Sequence, residues 1–266
     1  MADQGHRPGP PLILALDTSS RLTSMAVSRG ARVIKSIRLE ADERRSEKLW
    51  LDIESLLAEC AIAMNDIDLF GVCVGPGGFT GLRVGMSAVK GLASATGKPV
   101  VGVTSLEAAA VQAEPHRIVC ALVNAHKGEV YSQLFSTDEA GVPVALNAAL
   151  VSTLSAALER AGAQGATVFT GDAAPKGAEP VREACGMRDQ GEGARGEPGM
   201  WAVGNKDQSA ASCIARLSYL RFVRGQWETD ESLRACYVRP AEAEVKLSSG
   251  LLGSKIDHSL KPDSVD

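Results

Sequence analysis

The chain has 266 residues, of which 45% are apolar, 23% charged and 4% aromatic, a composition that supplies a packed core and excludes an intrinsically disordered chain. Lys and Arg number 28 against 32 Asp and Glu, and the net charge of −4 lacks the broad basic field of a stand-alone nucleic-acid binder. No stretch reaches the roughly eighteen apolar residues of a bilayer span, and Met1 to Pro11 is polar and Pro/Gly-rich, unlike a secretory signal.

Leu12 to Asp17 is an apolar run that reads as a buried strand. Thr18, Ser19 and Ser20 form a polar corner, Ser24 to Ser28 a returning strand and Val33 to Leu39 a third. From Ser46 the period changes, with Leu49, Ile53, Leu56, Leu57 and Cys60 at helical spacing. Leu69 to Val74 is another buried strand, followed by the turn Gly75 to Gly81, a helix from Leu82 to Ala95 and a strand from Pro99 to Val103. Ser105 is the expected N-cap of a helix over Leu106 to Gln112. Ile118 to Val123 and Glu129 to Phe135 form a strand pair, Ser152 to Arg160 a helix, Thr167 to Thr170 a strand and Ala210 to Arg224 a last helix. The order predicts an α/β protein with helices against mixed sheets. The six cysteines (Cys60, Cys73, Cys120, Cys185, Cys213, Cys236) contain no C-x-x-C pair, and are expected to be small buried hydrophobes in a reducing, cytoplasmic compartment.

The Gly75 to Gly81 turn, between a strand and a helix, could place backbone N–H groups around an anion, or could be a tight structural turn. It is not a Walker A loop, because no Lys-Ser/Thr pair follows and Arg83 comes after Leu82. A dinucleotide fingerprint would need the loop in the first βα unit, whereas three strands and a helix precede it. Gly85 and Gly91 interrupt the following helix, each at a cost of about 1 kcal/mol relative to Ala. Two readings of that helix stand: close packing on its own sheet, or a partner-binding face in which Gly85 lowers a ridge between Leu82, Met86 and Val89, with Lys90 beside it. On the second reading, Gly85→Leu leaves the monomer folded and abolishes assembly. Asp17, Thr18 and Ser19 could hold a phosphate or hydrated Mg²⁺, although such side chains equally stabilise a turn. No G-x-S-x-G elbow exists, and His6, His116, His126 and His258 form no metal-binding pair. The clusters Arg44-Arg45-Lys48 and Arg216-Arg221-Arg224 read as solvated helix faces.

Several of these strings resemble the TsaB (YeaZ) family of bacterial tRNA threonylcarbamoyladenosine biosynthesis proteins. They are Leu14 to Ser20, Ser24 to Val27, the loop Gly75-Pro76-Gly77-Gly78-Phe79-Thr80-Gly81 with Leu82-Arg83-Val84-Gly85, Lys90 to Ala93, and Gly102 to Leu106. Asn124 to Tyr131, Gly171-Asp172 and Tyr237 to Glu244 are similar to later segments of the family, with Asn124 where an Asp is common. The resemblance implies an actin-like (ASKHA, ribonuclease H-like) fold of two lobes. On it, residues 12–106 are the first lobe and 107–240 the second, with a mobile loop near 173–200 and tails at 1–11 and 241–266. It further implies a non-catalytic subunit that binds and activates TsaD, the enzyme forming N6-threonylcarbamoyladenosine at position 37 of tRNAs reading codons that begin with A. TsaE joins that complex, a homodimer is the competing assembly, tRNA is reached only through the complex, and no membrane is involved. ATP or ADP and a metal are expected in the partner or at the joint surface, not in this chain. Asp17-Thr18-Ser19 then becomes a vestigial phosphate corner, since Ser19 stands where ATP-using relatives carry Gly. Glu43 to Lys48 stands where the catalytic paralogue carries its His pair. The alternative within the superfamily is a self-sufficient peptidase M22-like protein or ATPase.

Overall fold

A computed structural model describes residues 9–40, 45–113, 118–166, 168–174 and 209–239. Strand β1 (Leu12–Asp17) has all six residues buried, as an apolar run in the middle of a covered sheet must. It lies at the centre of the order β3-β2-β1-β4-β5. Strands β2 (Leu22–Arg29) and β3 (Arg32–Glu40) continue from it as an antiparallel meander. On the other side β4 (Leu69–Gly75) and β5 (Val100–Thr104) are parallel to it.

Because side chains alternate along a strand, β1 feeds two separate cores. Leu12, Leu14 and Leu16 pack with Leu49, Ile53 and Leu56 of α1 (Arg45–Glu59) and with Met86 and Val89 of α2 (Phe79–Thr96). Ile13 and Ala15 face the opposite way, against Cys213, Ile214 and Leu217 of the last described helix. That helix (Ala210–Phe222) thus packs back on the first sheet, whereas the family resemblance implies 107–240 as the second lobe. A Ser24 hydroxyl accepting from Ala211 N at 3.0 Å fixes its first turn.

The second sheet has the order β10-β6-β7-β8, with β9 also paired to β7. Its strands are β6 (Val119–Asn124), β7 (Glu129–Thr137), β8 (Pro143–Ala145), β9 (Leu150–Thr153) and β10 (Val168–Thr170). Helix α3 (Ser105–Ala110) covers one face, where Leu106 and Ala110 meet Ala121 and Phe135. Helix α4 (Leu154–Ala163) covers the other, where Leu158 and Ala161 meet Leu122 and Phe169. The helix over Ala210–Phe222 is α5.

Three of the boundaries that differ from expectation matter most. Helix α2 starts at Phe79, not Leu82, with Gly78 as N-cap, so the second half of the glycine-rich turn is already helical. Helix α3 is capped by Thr104, whose hydroxyl accepts from Glu107 N while the Glu107 carboxylate accepts from Thr104 N. Ser105 instead donates its hydroxyl to Pro76 O at 2.6 Å. Residues 150–153, read partly as helix, form β9 ahead of α4. Among the described residues no helix is long and apolar enough to cross a membrane. The expectations for 1–8, for 175–200, for 240–266 and for Glu43, Arg44, His6, His116, His258 and Cys185 lie outside the described residues.

Candidate functional site

The two motifs of the first lobe meet at the carboxyl ends of β1 and β4. Asp17, Thr18 and Ser19 are buried, and the glycine-rich loop lies directly on them. Asp17 accepts from Ser19 N at 2.9 Å, Gly78 N donates to Ser19 O at 2.7 Å, and Thr18 Oγ1 donates to Gly81 O at 2.6 Å. A Cβ at Gly77 would stand 2.6 Å from Ser19 O. At Gly75, where φ is +105°, it would stand 2.6 Å from Cys236 O. These glycines are therefore required by backbone-on-backbone packing, and the N–H groups of Ser19 and Gly78 already have acceptors. Those two donors and the space beside Gly77 are thus taken up by the chain's own loop.

Burial holds the Asp17 carboxyl above the ordinary carboxylate range, with the Ser19 hydrogen bonds acting against it. The negative charge of Asp172, from the second lobe, adds to the rise. Asp172 accepts from Asn124 N at 2.9 Å, and Asn124 Oδ1 accepts from His126 N at 2.7 Å. Desolvation raises Asp172 as well. The two second-lobe segments singled out in the sequence, Asn124 to Gly128 and Gly171-Asp172, are thus one local structure. Gly171 has φ +105°, and a Cβ there would stand 2.1 Å from Leu122 O. Among the described residues no group of three His, Cys, Asp or Glu side chains could hold a metal ion.

The partner-binding row expected on α2 needs correction. Leu82, Gly85, Met86 and Val89 are all buried within the chain itself. Gly85 is small because α2 crosses Thr18: a Cβ there would stand 2.3 Å from Thr18 Oγ1. Residues that close against β1 present no surface to a second protein, so the close-packing reading holds for them and Gly85→Leu would disrupt the monomer. Lys90 is half-buried.

The exposed flank of α2 instead carries Phe79, Thr80, Arg83 and Ser87. With Leu49, Trp50, Val84 and Ala88 they line a groove of ≈ 530 Å³ between α1 and α2. Trp50 is 45% exposed, Leu51 65% and Phe79 38%. The Arg83 guanidinium lies 3.8 Å from the centre of the Phe79 ring. Tyr237 meets the same ring at 5.5 Å between centroids. Trp50 and Leu51 were legible as outliers. Three consecutive apolar residues, Leu49-Trp50-Leu51, span about 200° of a helix and cannot all face one core. Tyr237 gave no such signal, because only the fold brings it to Phe79.

The family model for tRNA N6-adenosine threonylcarbamoyltransferase (TsaD) matches residues 39–164. An uncharacterized protein of Mycobacterium tuberculosis is 36% identical over 153 residues, 57% of this chain and 72% of that one. The tRNA threonylcarbamoyladenosine biosynthesis protein TsaB of Bacillus subtilis is 32% identical over 124 residues, and the match covers 46% of this chain and 54% of the relative. The crystal structure of an uncharacterized Pseudomonas aeruginosa protein with similarity to peptidase YEAZ superposes with a TM-score of 0.66 at 24% identity, covering 86% of this chain and 100% of that one.

Proposed function

Because the chain belongs to the TsaB (YeaZ) family and has its actin-like fold of two lobed sheets flanked by helices, we propose that it serves tRNA threonylcarbamoyladenosine formation as the subunit that docks on TsaD and activates it. The observation that carries this reading is the groove between α1 and α2. Trp50, Leu51 and Phe79 are large apolar side chains left in water on the outer face of two rigid helices. Each gains on the order of 1–3 kcal/mol when fully covered, and aromatic anchors in a groove are what interface energetics concentrate on. Arg83, held over Phe79, adds a cation at the rim that can choose among partners by charge.

Chemistry belongs to the partner on this reading. The Asp17 to Ser19 corner is closed by its own loop, so nucleotide and metal sit in TsaD or at the surface shared with it. The net charge of −4 gives the chain alone little attraction for tRNA, which it meets through the complex, with TsaE as a further component. A second copy of the chain can cover the same groove when TsaD is absent, so homodimer and heterodimer compete. The site of action is the cytoplasm.

Light scattering on the chain mixed with TsaD of the same organism tests the docking surface. The wild-type chain is expected to form a heterodimer, and the double variant Trp50→Asp, Phe79→Asp to remain monomeric with an unchanged circular dichroism spectrum. A folded double variant that still assembles with TsaD overturns the assignment.

A further inference from the structure

A second groove, of ≈ 590 Å³, lies at the other end of α2. Helix α2 is 18 residues long, about 27 Å at 1.5 Å per residue, so an occupant here need not compete with one at Trp50 and Phe79. The floor and sides include Pro11, Ala93, Pro99 and Phe222, with Trp227 50% exposed beside them.

The charge of this groove is one-sided. Asp68, Glu228, Asp230 and Glu231 line it against a single cation, Lys98. Asp68 accepts from Leu12 N at 2.9 Å. Among the described residues the carboxylates of Glu228, Asp230 and Glu231 take part in none of the ion pairs. The nearby Arg234 guanidinium donates to the backbone carbonyls of Glu231 and Leu233, not to a carboxylate. An independent contribution comes from α2, which ends at this groove with Gly97 in the left-handed conformation and no basic residue in its last turn. The negative end of its dipole therefore adds to the carboxylates.

The acidic wall is also held in place before anything binds. Glu228 exchanges backbone hydrogen bonds with Val100 at 2.8 and 2.9 Å, which ties it to the edge of β5. Thr229 N donates to Ser232 Oγ at 3.1 Å, Ser232 N to Thr229 O at 3.2 Å, and Leu233 is buried. Asp230 and Glu231 thus sit on a closed turn, whose ordering cost is met in folding and not in binding.

We propose that this groove is a docking site for an extended, basic polypeptide segment of a partner protein, one in which Arg or Lys alternates with an aliphatic residue. The aliphatic side chain covers Trp227, Phe222 and Pro99. The flanking cations meet Asp230 and Glu231, with the exposed indole face as a further cation acceptor.

The test uses the full chain, ¹⁵N-labelled at tryptophan, titrated with the peptide Ac-Arg-Leu-Arg-Leu-Arg-NH₂. The indole resonance of Trp227 is expected to shift while that of Trp50 stays, and affinity is expected to fall about tenfold in the double variant Asp230→Asn, Glu231→Gln and again at high salt. Spermidine and Ac-Glu-Leu-Glu-Leu-Glu-NH₂ serve as controls. Absence of a Trp227 shift at millimolar peptide, equal binding by the double variant, or an equal shift with the acidic peptide overturns the proposal. An equal shift with spermidine also overturns it, in favour of a small polycation.

Discussion

At position 85 one added carbon decides whether α2 can lie on β1. A Cβ would stand 2.3 Å from Thr18 Oγ1, closer than any real contact, and Thr18 is a stiff β-branched side chain already bonded to Gly81 O. Alanine gains about 1 kcal/mol of helix propensity over glycine, but overpacking costs about 1–3 kcal/mol, so Gly85→Ala is expected to destabilise. In a Thr18→Ala background the obstructing hydroxyl is gone, and the same change should be neutral or stabilising. Gly91, with nothing within 4 Å of its Cβ position, should tolerate alanine with a gain of about 1 kcal/mol. Urea denaturation of the four variants reads all three signs. Asp17 supplies a pH signature. Burial raises its carboxyl in the folded chain, so the native state holds the proton more tightly than the unfolded state. Stability from this group is therefore full below the ordinary carboxylate range and lost as pH rises through the raised value. Asp17→Asn, which keeps an acceptor for Ser19 N, is expected to be more stable than wild type at neutral pH. That advantage should shrink to nothing as pH falls into the ordinary carboxylate range. Parallel stability curves for the two proteins across that range would contradict it.

Helix α3 follows β5 of the first sheet and packs on the second, and Glu107 ties it to α5. Glu107 closes the cap on Thr104 and pairs with Arg221 of α5 at 2.5 Å, while Arg221 also donates to Gly102 O at 2.7 Å. Both side chains are 19% exposed, so screening is modest and a stranded Glu107 is costly. Arg221→Ala should destabilise by about 1–3 kcal/mol in urea denaturation, against near zero for the exposed Arg32→Ala. Elements of this kind were unevenly legible in the sequence. Strands β1 and β4 announced themselves because both faces are covered, which forces unbroken apolar runs. The cap of α3 was misread at Ser105, although Glu107 three residues after Thr104 carries the capping-box spacing. Strands β8 and β9 are three and four residues long and exist by pairing with β7, so no local pattern marks them. The start of α2 was hidden for another reason: glycines that suit packing against Ser19 look, in sequence, like a longer turn.

At the scale of the molecule, the described residues form two sheets with the chain returning to the first, and that return was the feature least available from sequence. The apolar period of 210–222 marks a helix but not which sheet it covers; Ile214 and Leu217 settle that by packing on Ile13 and Ala15. The candidate site was legible as strings, Asp17 to Ser19 and Gly75 to Arg83, yet its geometry reversed the roles expected within α2. Inward residues of α2 that looked like a docking ridge close the corner, while Phe79 of α2 and Trp50 and Leu51 of α1 are the large apolar side chains left exposed around the groove. Activation of a separate transferase is the central claim, and a reconstituted reaction measures it most directly. Threonylcarbamoyl transfer to tRNA by TsaD, with its remaining components, is followed with no added chain, with wild type and with Trp50→Asp, Phe79→Asp. The expected result is a rate that rises on adding wild type and returns to the unassisted level with the folded double variant. A rate indifferent to wild-type chain, or equal stimulation by the double variant, contradicts the account.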